Sequence, residues 1–243
     1  MRIAIIGYGR MGKTIERFAK TQKIKVSQII DSKTELEKAV FDLDEVAIEF
    51  TEPDTCIANL IILANKSVRT VCGTTGWHQH LDQVKTIYKN KAAFLYATNF
   101  SLGVNIFWQI TASTAKIIDK FTNYDVSVHE THHNKKKDCP SGTALETADI
   151  LLQNIQRKKS IISEMSNQPI NPEELHVSYA RCGNIIGDHE ITFSGNTDSI
   201  KISHQGHDRA SYANGAIECA KWLVGKQGFY NIHDYIKEII NAK

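Results

Sequence analysis

The six residues GYGRMG at positions 7–12 stand directly after an apolar run, IAIIG (3–7), and directly before a helix-like one, RMGKTIERFAK. Nothing else in the chain constrains its fold as much, because a strand that feeds a helix through a glycine turn opens a parallel, doubly wound α/β sheet. The rhythm continues through VSQIID (26–31), VAIEF (46–50) with DTCIANLIILANK, TVCG (70–73) with HQHLDQVKTIYKN, and AFLYAT (93–98). VSQIID and AFLYAT are apolar on both faces, as strands covered by helices on both sides should be. The spacing G-x-G-x-x-G assigns a task to each glycine: Gly7 makes the tight turn, Gly9 lets the backbone approach a pyrophosphate, and Gly12 packs helix on strand. The helix that follows points its N–H groups and dipole at the anion, so the expected ligand is a dinucleotide.

Asp31 ends the second run, nineteen positions after Gly12, where an acid takes the hydroxyls of the adenine ribose. That placement favours NADH. Lys33, or Arg10 in the glycine turn, would tolerate a 2′-phosphate, so NADPH stays open. The bland alternative is that Asp31 caps a turn.

The rhythm changes after Asn99. SLGVNIFWQITASTAKIID (101–119) carries apolar residues at 102, 106, 110, 117 and 118, a helical spacing. YDVSVHE (124–130) alternates strictly, HVSYARCG (176–183) reads as a strand, and HEITFSGNTDSIKISHQ (189–205) reads as a hairpin turning at Gly195 and Asn196. KKSIISEMSNQPINPEE (158–174) is expected to be a loop. A boundary falls near residue 100.

The formal charge of +2, from 29 basic and 27 acidic side chains, is too even for a nucleic-acid partner to be the main one. Five cysteines, an odd number with no pair close in sequence, exclude a disulfide framework and fit a reducing cytoplasm. Neither the apolar start nor IANLIILA (57–64) is long enough for a signal-peptide core or a membrane span.

The densest chemistry lies in HETHHNKKKDCPSGTA (129–144), between the end of a strand and the start of a helix. Asp138 is a possible cap of that helix, with Pro140 near its first turn. Ser141, Gly142 and Thr143 would present N–H groups and hydroxyls to an anion, and Lys135, Lys136 and Lys137 beside them point to an anionic substrate. Alone, three lysines are more often a solvated charge run. His132 and His133 are adjacent, so their side chains diverge, and only Glu130 sits at a ligand-like offset; no metal is expected. A histidine, with an ordinary value near ~6.5, carries a proton either way near neutrality, and with a lysine suits a reduction that needs a proton as well as a hydride.

Taken in order, GYGRMG, EFTEP (49–53), CGTTGW (72–77), ATNFSLGVN (97–105), HETHHNKKKDCPSGTA, RCGNIIGDHEITFSG (181–195) and DRASYANGA (208–216) resemble the 4-hydroxy-tetrahydrodipicolinate reductase family across nearly the whole chain. The string E-x-H-H-x-x-K-x-D-x-P-S-G-T-A is highly specific to it. The resemblance implies a Rossmann-type dinucleotide-binding domain at 1–100, with 208–243 packing back on it, and a smaller α+β domain with a mixed sheet at 101–207 for substrate binding and oligomerisation. It implies a cytoplasmic homotetramer that uses NADH or NADPH to reduce a small dicarboxylate in diaminopimelate and lysine biosynthesis, with no metal, nucleic-acid or membrane partner. His132 is similar to the family's proton donor/acceptor and Lys136 to its second proton donor and substrate contact. His133, Ser141, Gly142 and Thr143 match the substrate-binding positions. Gly7, Tyr8, Gly9, Arg10, Met11, Gly12, Asp31, Phe50, Thr51, Gly73, Thr74, Thr75, Ala97, Thr98, Asn99 and Phe100 match cofactor-binding ones. The chain departs from many members in a glycine turn one residue shorter, in Ser32 where an arginine is common, and in a short stretch between Asp31 and Val46. Two rival readings are another Rossmann-type amino-acid-pathway dehydrogenase, against which the H-H-x-x-K loop argues, and a non-catalytic NAD(H)-binding regulator, which would have lost His132 and Lys136.

Overall fold

The apolar run ahead of the glycine turn becomes β1 (Arg2–Ile6), with Ile3, Ala4 and Ile5 wholly buried. The structure is a computed structural model describing residues 1–164 and 167–242. Its chain divides into two units, Met1–Leu102 with the segment from Ala210 onward, and Gly103–Arg209.

In the first unit β1 leads into α1 (Arg10–Thr21), β2 (Lys25–Ile30), α2 (Lys33–Lys38), β3 (Glu45–Glu49), α3 (Pro53–Asn65), β4 (Arg69–Cys72), α4 (Leu81–Tyr88) and β5 (Phe94–Tyr96). Helix α2 has no apolar period of its own to betray it. It exists because Ser32 accepts a hydrogen bond from the Glu35 N–H at 3.3 Å as N-cap, and because Leu36 is buried. Strand β2 corrects the reading of VSQIID as covered on both faces: it is an edge strand, and Ile29 is 40% exposed.

The second unit comprises α5 (Leu102–Ile118), β6 (Asp125–His132), α6 (Gly142–Asn154), β7 (Ser160–Ile162), β8 (Glu174–Arg181), β9 (Asp188–Ser194) and β10 (Ser199–Gln205). Its mixed sheet runs β10-β9-β6-β8-β7, with β6 parallel to β8 and antiparallel to β9. The hairpin turns at the expected place, where Gly195 donates its N–H to the Asp198 carbonyl. The helix at 102–118 forms, but its buried stripe is Val104, Phe107, Trp108, Ala115 and Ile118, while Ile106, Ile110 and Ile117 are exposed. Part of the expected loop at 158–174 is the edge strand β7, fastened by the buried Lys158. That ammonium reaches the Pro172 and Glu174 carbonyls and Asp125 Oδ1. Met165 and Ser166, in the same stretch, lie outside the described residues.

The chain then returns to the first unit through α7 (Ala210–Leu223), β11 (Phe229–Asn231) and α8 (Ile232–Asn241). Ala213, Ala216, Ile217 and Ala220 of α7 pack in the core formed by β1, β3 and α1. Strand β11 completes an all-parallel sheet, β11-β5-β4-β3-β1-β2. Three residues are too few to show a period, and β11 was not anticipated. Among the described residues no helix is long and apolar enough to cross a membrane.

Candidate functional site

A cavity of about 670 Å³ opens in the first unit where β1, β3 and β4 end at their C-terminal edge. The three glycines of the turn have three different reasons to be glycine. Gly7 sits at φ +90°, and a Cβ there would lie 2.3 Å from the Phe50 carbonyl oxygen. At Gly12 a Cβ would lie 2.2 Å from the Gly7 carbonyl oxygen, so α1 could not seat. At Gly9 it would meet nothing within 4 Å, because the position faces the open cavity.

Gly7 through Met11 line this space, as do Asp31, Phe50, Thr51 and Gly73 through Thr75, whereas Gly12 is buried behind it. Asp31 Oδ1 accepts the Tyr8 N–H at 2.7 Å, which fastens the glycine turn and leaves the other carboxylate oxygen for a ligand. Lys33 and Arg10 are also on the lining. The ring of Phe50 lies against Gly73, where a Cβ would come within 2.0 Å of it. Ala97, Thr98, Asn99 and Phe100 are not on the lining. Ala97 and Phe100 are core residues, the latter with its ring 5.9 Å from that of Phe50. The sequence reading missed Glu52, Pro53, Thr55 and Asn59, which α3 and the residue before it add to the wall. A dinucleotide fits this donor set: a helix N-terminus at a turn left open by Gly9, an acid at the end of β2, and room for the chain between.

The opposite chemistry gathers in the second unit. The alternation of β6 puts Val126, Val128, Glu130 and His132 on one buried face, so two polar groups follow two core valines inward. Glu130, wholly buried, is the hub. Its Oε2 lies 2.7 Å from His132 Nδ1, and its Oε1 accepts the Ser141 N–H at 3.0 Å and Arg181 Nη2 at 3.1 Å. Burial opposes the charge of this carboxylate, but the hydrogen bonds from His132 and Ser141 outweigh burial and hold it down to about 2. His132 Nδ1 thus stands beside a buried anion at ion-pair distance, though its N–H direction does not line up on Oε2, and Nε2 is the ring nitrogen left free of that contact. That nitrogen packs on bare backbone: a Cβ at Gly187 would lie 2.8 Å from it. His189 stands beside the pair, 3.8 Å from Glu130 Oε2 and 3.3 Å from Ser141 Oγ. Burial first, and then the neighbouring His132 charge, push His189 down to about 3.

The three lysines divide. Lys135 and Lys137 are exposed, while Lys136 turns inward and sets its Nζ 2.8 and 2.9 Å from the two carboxylate oxygens of Asp138. Asp138 thus holds the lysine and is not the helix cap; the N-cap of α6 is Ser141, whose Oγ accepts the Ala144 N–H at 3.2 Å. The Ser141 N–H is already bound to Glu130, so of the expected anion donors at this helix start it is committed to the fold. Gly142 is exposed, with open space where a Cβ would stand. His133 diverges from His132, its Nε2 3.5 Å from Arg209 Nη2. Arg181, also missed from sequence, ties the loop to the hub by donating to the Asp138 carbonyl at 2.7 Å.

Two groups of side chains bring three possible metal-ligating atoms within 4.8 Å of one another: Glu130, His132 and His189, and Glu49, Cys56 and Cys72. In the first, 2.7 Å between Oε2 and Nδ1 is a hydrogen-bond length, shorter than the ~3.3 Å edge that two ligands on one tetrahedral zinc would span. The second brings together two cysteines that no short spacing along the chain pairs. Sixteen residues apart in sequence, Cys56 and Cys72 place their Sγ atoms 3.7 Å apart.

Comparison with known proteins covers both units. Residues 1–100 match the family described as dihydrodipicolinate reductase, N-terminus, and residues 103–236 match its C-terminus. The chain is 33% identical over 241 residues to 4-hydroxy-tetrahydrodipicolinate reductase of Christiangramia forsetii, covering 98% of this chain and 99% of that one. It is 35% identical over 239 residues to the protein of that name from Methanosarcina acetivorans, covering 96% and 88%. Among solved structures, a dipicolinate-bound dihydrodipicolinate reductase from Paenisporosarcina sp. TG-14 shares the fold with a TM-score of 0.74 at 20% identity, covering 96% and 98%.

Proposed function

The chain belongs to the dihydrodipicolinate reductase family, and from that premise we propose how its residues divide the work. Its activity is the NAD(P)H-dependent reduction of 4-hydroxy-tetrahydrodipicolinate to tetrahydrodipicolinate with loss of water, a step of lysine biosynthesis. When bound, the dinucleotide supplies the hydride. Everything else falls to side chains of the chain itself.

The first unit serves as the dinucleotide-binding domain and the second as the substrate domain. In the second, His132 moves the proton that the reduced ring requires, through Nε2. Lys136 exchanges Asp138 for a substrate carboxylate and assists that protonation. Gly142 and Thr143, with His133, receive the second carboxylate at the start of α6, and Ser141 shapes that start. The observation that carries this assignment is the 2.7 Å ion-pair contact between His132 Nδ1 and the buried Glu130, which sets one histidine nitrogen beside an anion and leaves the other for chemistry.

In the first unit, Asp31 takes the adenine ribose, so NADH serves at least as well as NADPH, with Lys33 and Arg10 as the groups that would accept a 2′-phosphate. The run from Ala97 to Phe100 supports the pocket through Phe50 more than it lines it. Self-association as a homotetramer is supported by the exposed Ile106, Ile110 and Ile117. Five free thiols accord with a cytoplasmic setting. The direct experiment follows NADH and NADPH oxidation side by side with freshly made substrate. Rates with both coenzymes, NADH no slower, support the reading; a strong NADPH preference abolished by Lys33→Ala overturns the weight given to Asp31.

A further inference from the structure

Behind the wall of the dinucleotide cavity, β3 ends on Glu49, a wholly buried carboxylate. Among the described residues no lysine, arginine or histidine stands in ion-pair contact with it. Four neutral groups surround it. The Thr51 hydroxyl and, at 3.5 Å, the Asn59 amide donate to Oε1; the thiols of Cys72 at 3.3 Å and Cys56 at 3.5 Å donate to Oε2. Every neighbour has a hydrogen to give, the surroundings that suit an acceptor-only carboxylate. Burial, the contact with Cys56 and the charge of Glu49 push the Cys72 thiol well up, so it keeps the hydrogen it donates.

A metal is a poorer occupant. Three protein ligands with no exposure match neither a closed four-ligand structural zinc nor a three-ligand catalytic zinc with an open position. The cluster is a buried acceptor ringed by side-chain donors.

Two of those side chains also face the cavity. Thr51 and Asn59 line it, and Thr55, on the same wall, donates its hydroxyl to Thr51 Oγ1 at 3.2 Å, so a hydroxyl chain runs from the cavity surface to the carboxylate. The Gly73 N–H bonds the Glu49 carbonyl at 2.8 Å, which ties the acid to the Gly73–Thr75 side of the pocket. In the sheet order, β2 with its Asp31 lies on one side of β1 and β3 with β4 on the other. A dinucleotide laid across the glycine turn with its adenosine at Asp31 therefore brings its nicotinamide half over the ends of β3 and β4.

We propose that Glu49 is an electrostatic positioning residue whose buried charge favours the positively charged, oxidised nicotinamide over the neutral, reduced one. The inference rests on the dinucleotide reading of the pocket. In the reaction a hydride leaves C4 of the dihydronicotinamide with its electron pair and reduces the substrate carbon; the ring, oxidised, becomes a pyridinium cation. An anion held close behind that ring, in a medium of low effective dielectric, lowers the energy of the charge as it develops.

The test is the ratio of NAD⁺ to NADH dissociation constants, measured by calorimetry on the purified full chain, for wild type and Glu49→Gln. Removing the charge while keeping the shape is expected to weaken NAD⁺ roughly tenfold relative to NADH, and to lower kcat by a similar factor with little change in KM. Glu49→Asp, which keeps the charge, is expected to restore the ratio. Should Glu49→Gln not fold, Asn59→Lys, which sets an ammonium against the same carboxylate, is expected to move the ratio the same way. A Glu49→Gln protein that loses affinity for both forms equally, or a stoichiometric metal found by elemental analysis of wild type and lost in the variant, overturns the proposal while leaving the pocket reading intact. Wild type that binds neither form overturns the pocket reading itself.

Discussion

Each unit buries one carboxylate completely, and the two acids are solvated in opposite ways. Glu130 is held by Arg181, two histidines and a backbone N–H, and its charge is spent on fixing the groups that touch it. Glu49 is held by a hydroxyl, an amide and two thiols, none of them charged, so its field is left uncancelled toward the cavity wall. The same residue type thus serves as a clamp in one place and as a source of potential in the other. What decides between the roles is whether a cation comes within hydrogen-bond reach.

The largest expected effect lies at the clamp. If Glu130 orients His132 for proton transfer, His132→Gln should lower kcat by roughly 10²–10⁴-fold with a modest change in KM, read by steady-state NADH oxidation. Near-normal turnover would remove the reason for the clamp. Next comes Lys136→Ala, expected to harm kcat and KM together. A hydrogen bond to a charged group is worth about 1.5–3 kcal/mol, so binding of pyridine-2,6-dicarboxylate should weaken about 10–100-fold by calorimetry, yet persist in His132→Gln. Equal dicarboxylate affinity in Lys136→Ala and wild type would assign capture elsewhere.

These residues were legible in sequence to different depths, for physical reasons. GYGRMG and H-H-x-x-K are contiguous, and the backbone that joins their members also sets their geometry, so each motif is readable whole from the chain. Glu130 was visible only as a ligand-like offset from His132. Its partners Arg181 and His189 arrive from β8 and β9, and no spacing along the chain announces that register. Cys56 and Cys72 meet because α3 crosses back over β3 and β4, a contact that sequence separation hides. Helix α5 shows the converse: its period is plain, but three isoleucines on the exposed side pull the eye to the wrong face. The short β7 and β11 exist through what they pair with, not through what they are made of.

A smaller effect sharpens the contrast from the acid side. His189 takes up a proton near 6.5 in the unfolded chain but only near 3 when folded, so between those values the unfolded state binds more protons. Stability should be fully present above about pH 6.5 and drain as pH falls toward 3. His189→Gln should flatten that limb by up to about 5 kcal/mol in urea titrations at successive pH values. Glu130, held down to about 2, adds its own loss only below its ordinary value of 4.5, so the part of the limb above 4.5 belongs to His189 and the two overlap below it. An acid limb unchanged by His189→Gln would mean that this histidine is not held neutral by its burial.

The clamp itself is tested most directly by Glu130→Gln, assayed for turnover and for dicarboxylate binding on one preparation. The variant keeps an oxygen for the Ser141 N–H and Arg181, but it turns an amide N–H toward His132 Nδ1. That reverses the imidazole tautomer and leaves Nε2 protonated. The expected result is a fall in kcat of about 10²-fold or more with dicarboxylate affinity within about twofold of wild type. Turnover close to wild type with the fold intact would contradict the assignment of Glu130 as the residue that sets His132 for catalysis.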